Sequence, residues 1–152
     1  MTGRLPPQLS ADRAKQFHDG FSLYRETPLV TWHSGQHRIW VKDETARMGL
    51  GAFKAIGGTY AVARLLAEHL GLGQATAAQL RDHMQTYSGD TPCFVCASAG
   101  NHGIAVATGA AIFGVPCRIH LSHTVPEAFA SRLEAIGAQV VRSGAVYEES
   151  IA

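Results

Sequence analysis

A single lysine interrupts an otherwise uncharged, glycine-flanked stretch of the chain. Lys54 lies in GLGAFKAIGG, residues 49–58, where every other residue is apolar or glycine. At the first turn of a helix the peptide dipoles disfavour the ammonium form by up to about 1 kcal/mol. Apolar neighbours such as Phe53 and Ile56 add desolvation in the same direction, and a neutral amine is a nucleophile that condenses with aldehydes. The alternative is an ordinary helical lysine whose stem packs on apolar surface while its head reaches solvent.

A second stretch, SAGNHG at residues 98–103, separates an apolar run from a small-residue helical pattern. Ligands collect beyond the carboxyl ends of parallel strands, and glycine-rich turns there expose backbone amides that hold anions such as a carboxylate. The alternative is an ordinary strand-to-helix loop in which Ser98 or Asn101 caps the helix. Read together, the two stretches indicate an amine nucleophile and an anion-binding turn.

The hydrophobic pattern predicts the elements that position both stretches. A helix is predicted from Phe53 to Leu70, with Gly71 placed to end it. Further helices are predicted for ADRAKQFHDG after Ser10, AAQLRDHMQTY after Thr76, GIAVATGAAIFG, EAFASRLEAIG and the residues from Tyr147. Strands are predicted for HRIWVKDE, CFVCA, CRIHLS and AQVVRS, and YRETPLV is expected to be extended. This order predicts an α/β fold with a mainly parallel sheet flanked by helices.

Composition limits the function classes that fit. With 152 residues and 46% hydrophobic content the chain fills about one domain core. A net charge of +1, without basic runs interleaved with aromatics, argues against nucleic acid as a partner. Prolines, glycines, Asn101 and His102 break up the uncharged segment 91–117, which argues against a membrane span. The N-terminus has no export signal and the cysteine count is odd, so we expect a cytoplasmic protein with reduced thiols.

The motifs VKDE, GLGAFK and SAGNHG, in this order, resemble those of a known enzyme group. They are similar to the pyridoxal-phosphate enzymes of the tryptophan-synthase-β fold type, which include serine and threonine dehydratases. FHDGFSLYRETPL, VKDETARMGLGAFKAIGG and the GNHG loop are more similar to the diaminopropionate ammonia-lyase branch. The resemblance runs from about Phe17 to the C-terminus. It implies pyridoxal 5′-phosphate as cofactor, a small amino acid as substrate and a homodimer in the full-length form.

The resemblance also implies roles for individual residues. Lys54 would bind the cofactor as a Schiff base, Asn101 would hydrogen-bond its ring hydroxyl, and Phe53 would line its pocket. The substrate carboxylate would be bound by loop amides and by three residues of the loop, Ser98, Gly100 and His102. Once the substrate replaces it on the cofactor, the freed Lys54 would take the α-proton and a β-substituent would leave. Hydrolysis by water would then give a keto acid and ammonia.

Two departures from the family pattern affect these expectations. The diaminopropionate lyases have an aspartate, used as a base on one substrate enantiomer, at the position of Ala99; SAGNH instead resembles the threonine and serine dehydratases. No second glycine-rich loop follows residue 114, although the family binds the cofactor phosphate in one. We therefore expect residues 1–152 to be the N-terminal part of such a lyase, with open sheet edges and apolar faces that favour association.

Two alternatives to the ammonia-lyase follow from the same motifs. One is a β-replacement synthase of the cysteine-synthase kind, although such enzymes more often carry a threonine-bearing substrate loop than SAGNH. The other is a catalytically inactive remnant or partner chain that still binds an amino-acid carboxylate.

The remaining polar residues are expected to be structural, and no metal site is predicted. Cys93 and Cys96 form a CxxC inside a predicted strand, where residues three apart point to opposite faces. A looser set with ligand-like spacing is expected to pack or to face solvent: Cys117, His120 and His123. The charged run 42–44 could face the active site, but it is expected to solvate a turn. Arg47 could assist a substrate anion, but it is not predicted to be a site residue.

Overall fold

The computed structural model describes residues 11–19 and 21–150, which form helices around a parallel sheet and a separate hairpin. The helices are α1 (Asp12–His18), α2 (Lys54–His69), α3 (Ala77–Thr86), α4 (Asn101–Phe113), α5 (Glu127–Glu134) and α6 (Tyr147–Ser150). The strands are β1 (Leu29–Ser34), β2 (His37–Lys42), β3 (Phe94–Ala97), β4 (Cys117–Leu121) and β5 (Gln139–Arg142). The predicted α/β class is confirmed, while the predicted boundaries at Ser10 and Gly20 lie outside the described residues.

The parallel sheet has the strand order β3-β4-β5. Phe94 on β3 pairs with Cys117 on β4, and Arg118 on β4 pairs with Gln139 on β5. Alternate side chains of β4 are buried, namely Cys117, Ile119 and Leu121. Because side chains alternate between the two faces of a strand, these three residues mark the face that carries the core.

Helix α4 lies at the centre of the fold, in contact with β3, β4, α2, α3 and α5. Eight of its 13 residues are buried. A helix that is apolar on all sides is a buried helix, which is why GIAVATGAAIF has no polar stripe. None of the helices in the two described ranges is long and apolar enough to cross a membrane.

The C-terminus of α2 and the N-terminus of α3 lie where the sequence predicts them. Helix α2 ends before Leu70, and Gly71 follows with a φ of 68°, the left-handed conformation that glycine adopts readily. Thr76 caps α3 in a capping box. Its hydroxyl accepts from the Gln79 amide at 3.3 Å, and its own amide donates to the Gln79 side chain at 2.9 Å.

Strands β1 and β2 form an antiparallel hairpin joined by Gly35 and Gln36, and every residue of both strands is exposed. One face is apolar and carries Val30, Trp32, Ile39 and Val41; the other carries Trp40 between Arg38 and Lys42. The sequence predicted β2 but only an extended segment up to Val30 for β1, because the turn at Gly35 was not recognised. Trp32 on the apolar face is 59% exposed, and Trp40 on the opposite face is 61% exposed.

Candidate active site

The turn after β3 leads directly into α4 and leaves the first amides of that helix without a capping side chain. Gly100 is the N-cap, with extended backbone, and no described side chain caps the helix. The first helical bond runs from the Ile104 amide to the Gly100 carbonyl at 3.2 Å. The first turn of α4 also contains no acidic residue. Free amides and the positive end of the helix dipole favour a bound anion at this turn.

Close contact inside the turn explains why glycine is needed at residue 103. A Cβ placed on Gly103 would lie 1.9 Å from the carbonyl oxygen of Ser98. No side chain can be accommodated at that distance, so the turn can fold back on the start of α4 only with glycine. By contrast, a Cβ on Gly100 would meet no atom within 4 Å. The loop is therefore tightly packed at Gly103 and open at Gly100.

Helices α2 and α4 pack side by side and run in the same direction. A Cβ on Gly58 of α2 would lie 2.5 Å from the Cβ of Ala105 on α4. Four residues further along α4, a Cβ on Gly109 would lie 3.1 Å from the Cβ of Val62 on α2. From the first contact to the second, the residue number rises by four on both helices, which is about one turn. The two helices therefore run parallel.

The parallel contact brings the two sequence motifs together at one end of the helix pair. One turn before Gly58 on α2 is Lys54, and one turn before Ala105 on α4 is Asn101. Helices in contact have axes roughly 8–10 Å apart, with small residues giving the shorter distances. Lys54 therefore starts from a backbone position adjacent to the uncapped turn that carries Asn101.

The predicted site residues form an open surface rather than an enclosed pocket. Phe53 is 68% exposed, and Lys54 is also exposed. In the turn Gly100, Asn101 and His102 are exposed, while Ser98 is half-buried. The expectation that apolar neighbours shield Lys54 from water is therefore wrong for the residues that the structure describes. Ala52 and Ala55 are buried, but they pack inward and leave the lysine outside.

The electrostatics of this surface suit an anionic ligand with an aldehyde group. Lys54 is the first residue of α2, and neither α2 nor α4 has an acidic residue in its first turn or a side-chain cap. The positive ends of two parallel helix dipoles thus converge on the same region. Pyridoxal phosphate fits these residues, because it offers an aldehyde to the amine and its amino-acid substrate brings a carboxylate to the amides.

A buried arginine upstream of Lys54 was not identified as important from the sequence. Arg47 is 3% exposed, and its Nε and Nη2 atoms donate to the Glu44 carboxylate at 2.6 and 2.8 Å. Thr27 also donates to that carboxylate, at 2.6 Å. Hydrogen bonds from Arg47 and Thr27 lower the pKa of Glu44 to about 2. The prediction that run 42–44 solvates a turn is therefore wrong for Glu44. The spacing of three residues between Glu44 and Arg47 was the sequence signal for this ion pair.

A buried histidine supports the first turn of α2 from the other side. His18 is 2% exposed, and its Nε2 lies 3.3 Å from the Ile56 carbonyl oxygen, two residues after Lys54. The ring stacks on Tyr24 with centroids 5.2 Å apart. Burial lowers the pKa of His18, and nearby Arg47 acts in the same direction. Burial in the core therefore disfavours the charged form of this histidine.

The three thiols lie on or directly before strands of the parallel sheet. Burial raises the pKa of Cys96, and raises that of Cys117 to about 11. Cys93 precedes β3 and is exposed. Over residues 11–19 and 21–150, no group of three or more histidine, cysteine or acidic side chains is placed to hold a metal ion.

Comparison with known proteins agrees with the motifs at this surface. A family model described as pyridoxal-phosphate dependent enzyme matches residues 21–152. Diaminopropionate ammonia-lyase of Escherichia coli K12 is 32% identical over 155 aligned residues, which cover 99% of this chain and 38% of that protein. L-threonine ammonia-lyase of Thermotoga maritima is 39% identical over 56 residues, covering 37% of this chain and 14% of that protein.

Solved structures give the same result for the fold. The holo form of diaminopropionate ammonia-lyase from Escherichia coli superposes with a TM-score of 0.84 at 30% identity, over 99% of this chain and 40% of that one. The complex of that enzyme with D-serine superposes with a TM-score of 0.83 at 31% identity, over 98% and 40% of the two chains. The chain thus spans about two fifths of the length of these relatives.

Proposed function

Because this chain belongs to the family of pyridoxal-phosphate-dependent enzymes, we propose that it forms the N-terminal portion of an ammonia-lyase. The reaction would be α,β-elimination on a small amino acid with a β-leaving group, giving a keto acid and ammonia. Diaminopropionate, serine and threonine are the substrate types that the motifs favour. The observation that carries the proposal is the parallel contact of α2 and α4, which sets Lys54 beside the uncapped turn at Gly100.

Each residue of the surface has a defined role in this proposal. Bound pyridoxal phosphate supplies an electron sink that acidifies the α-proton of an amino acid. Lys54 Nζ would hold the cofactor covalently until the amino group of the substrate replaces it, and the freed amine would then accept that proton. Asn101 would hydrogen-bond the ring hydroxyl of the cofactor, and Phe53 would line the cofactor pocket. The substrate carboxylate is held by the free amides of α4 and by Ser98, Gly100 and His102.

The exposure of Lys54 and Phe53 affects how tightly this chain alone is expected to bind the cofactor. Water-exposed contacts are weaker than enclosed ones, because water competes for each hydrogen bond. We propose that further parts of the family fold enclose this surface and bind the cofactor phosphate in the full-length enzyme, which would be a homodimer. The isolated chain is then expected to bind the cofactor selectively but weakly.

Ala99 bears on the choice of substrate. Its side chain is a methyl group, half-buried next to the N-cap Gly100, and cannot act as a base. We therefore propose that proton abstraction relies on Lys54 alone, so that a single enantiomer of the amino acid reacts. Assays with both enantiomers of serine and diaminopropionate test this point in a full-length form.

Covalent labelling tests the proposal on the chain itself. The purified chain is incubated with pyridoxal phosphate, reduced with borohydride and mapped by peptide mass; its lysines are Lys15, Lys42 and Lys54. We expect the label on Lys54, and equal labelling of all three lysines would refute the proposal. Release of keto acid and ammonia, measured against sulfide-dependent cysteine formation, then separates the lyase from the β-replacement synthase. Selective carboxylate binding without Lys54 labelling would favour a non-catalytic chain.

A further inference from the structure

Two chain segments meet at a cluster formed by Thr27, Glu44 and Arg47, here termed the Arg47 cluster, in which Thr27 and Arg47 are buried. Besides its two bonds to Glu44, Arg47 donates from Nη2 to the Thr27 hydroxyl at 2.7 Å and from Nη1 to the Arg25 carbonyl at 2.6 Å. Its guanidinium also lies 5.3 Å from the centre of the Tyr24 ring. The charge is thus paired and hydrogen-bonded on several sides, as a buried arginine requires.

The Arg47 cluster ties the segment before β1 to the segment after β2. The Lys42 ammonium donates to the Thr27 carbonyl, and the Asp43 amide donates to the Pro28 carbonyl at 3.0 Å. Thr27 is 8% exposed and bridges both charged partners through one hydroxyl. The Arg47 cluster therefore holds both the base of the hairpin and the start of the loop that leads to α2.

The loop that runs from the Arg47 cluster to Lys54 has an unusual backbone. Met48 has a φ of 50°, a conformation that costs energy for a residue with a side chain, and Gly49 and Gly51 have φ values of 71° and 72°. Only six residues separate Arg47 from Lys54. Strained conformations persist when the surroundings hold both ends, and here the far end is α2, packed on α4.

We propose that the Arg47 cluster is a positioning device for Lys54, which fixes loop 48–53 so that the lysine amine is presented to the turn at Gly100. The inference rests on the proposed function of Lys54. The cluster residues act through the loop and make no contact with the reacting atoms. Loss of the cluster would free the strained backbone at Met48 to relax and would change the direction in which Lys54 leaves α2.

Two substitutions at Thr27 separate positioning from simple stability. Thr27→Val keeps the shape of the side chain but removes the hydroxyl that joins Glu44 to Arg47, whereas Thr27→Ser keeps the hydroxyl. Each variant is labelled with pyridoxal phosphate and borohydride, and the label on Lys54 is divided by that on Lys15, an exposed lysine on α1. Small displacements of a reacting group cost up to about 100-fold in rate. We expect the ratio to fall about tenfold in Thr27→Val and to stay within about twofold of the parent chain in Thr27→Ser.

A stability control makes the result specific to the site. Leu133→Ala removes a fully buried side chain of α5 and destabilises the fold while leaving the residues of the Arg47 cluster and of loop 48–53 unchanged. It is expected to lower the melting temperature while leaving the labelling ratio unchanged. Glu44→Gln, which keeps the size but removes the charge of the carboxylate, is measured beside Thr27→Val and is expected to lower the ratio as well.

The outcomes distinguish this inference from the proposed function. If the parent chain shows no preference for Lys54, the proposed function fails and the positioning role fails with it. If the parent prefers Lys54 and both Thr27→Val and Glu44→Gln retain that preference while folded, the positioning role alone is refuted. A ratio that falls equally in Leu133→Ala would also refute it, because the change would then follow stability rather than position.

Discussion

Adjacent glycines in α2 provide a sharp test of the packing that brings Lys54 to α4. Gly57 is exposed, and a Cβ there would meet no atom within 4 Å, whereas a Cβ on Gly58 would lie 2.5 Å from the Cβ of Ala105. Both lie inside the same helix, so alanine raises the helix propensity of either position by roughly 0.5–1 kcal/mol. Gly57→Ala is therefore expected to stabilise the chain by about that amount.

Gly58→Ala adds a packing cost to the same gain in propensity. Ordinary contact begins near 3.4 Å, so α2 and α4 must move apart by roughly 0.9 Å at this point. Overpacking of this kind costs about 1–3 kcal/mol. Because both variants gain the same helix propensity, the difference between their free energies of unfolding should equal this packing cost.

Thermal unfolding followed by far-ultraviolet circular dichroism measures the difference. For a chain of this size about 1 kcal/mol corresponds to roughly 2–4 °C in melting temperature. We expect Gly57→Ala to melt about 2–12 °C above Gly58→Ala. Equal melting temperatures would mean that the two helices are not in close contact at Gly58, and the adjacency of Lys54 to the α4 turn would lose its support.

Three further predictions follow from individual contacts. Gly103→Ala should abolish Lys54-selective labelling by pyridoxal phosphate, because its Cβ would lie 1.9 Å from a carbonyl oxygen, while Gly100→Ala should retain it; equal loss in both would contradict the account. Burial lowers the pKa of His18 from its ordinary 6.5, so as the pH falls below that value the unfolded chain binds the proton first and the folded chain loses stability. Between about pH 7 and 5, the melting temperature of His18→Phe should therefore fall less than that of the parent chain. Trp32→Lys should reduce self-association in sedimentation velocity more than Trp40→Lys, because Trp32 lies on the apolar face of the hairpin; equal effects would mean that this face is not responsible.

Sequence patterns were sufficient for elements whose cause is local. The helix that begins at Lys54 follows from apolar spacing, and the start of α3 follows from a capping box formed by Thr76 and Gln79. The parallel sheet follows from the alternation of strands and helices. The turn at residues 98–103 was assigned to a strand end, and the structure places it there.

Features that depend on distant segments were not predictable in the same way. Arg47 is buried because Thr27 and the Arg25 carbonyl fold over it, and these partners lie about twenty residues upstream. Lys54 was expected to be shielded by its sequence neighbours, but helical geometry turns Ala55 inward and leaves Phe53 outside. The burial of a helical residue depends on what packs against its face of the helix, so it cannot be predicted from the residues next to it in the sequence.

The central claim is that Lys54 and the α4 turn form one binding surface for pyridoxal phosphate. Titration of the ¹⁵N-labelled chain with the cofactor, followed by amide chemical shifts, tests it most directly. We expect the largest changes in the first turn of α2 and at Gly100–Gly103. Changes centred on Lys15 or Lys42, with both helix N-termini unaffected, would contradict it.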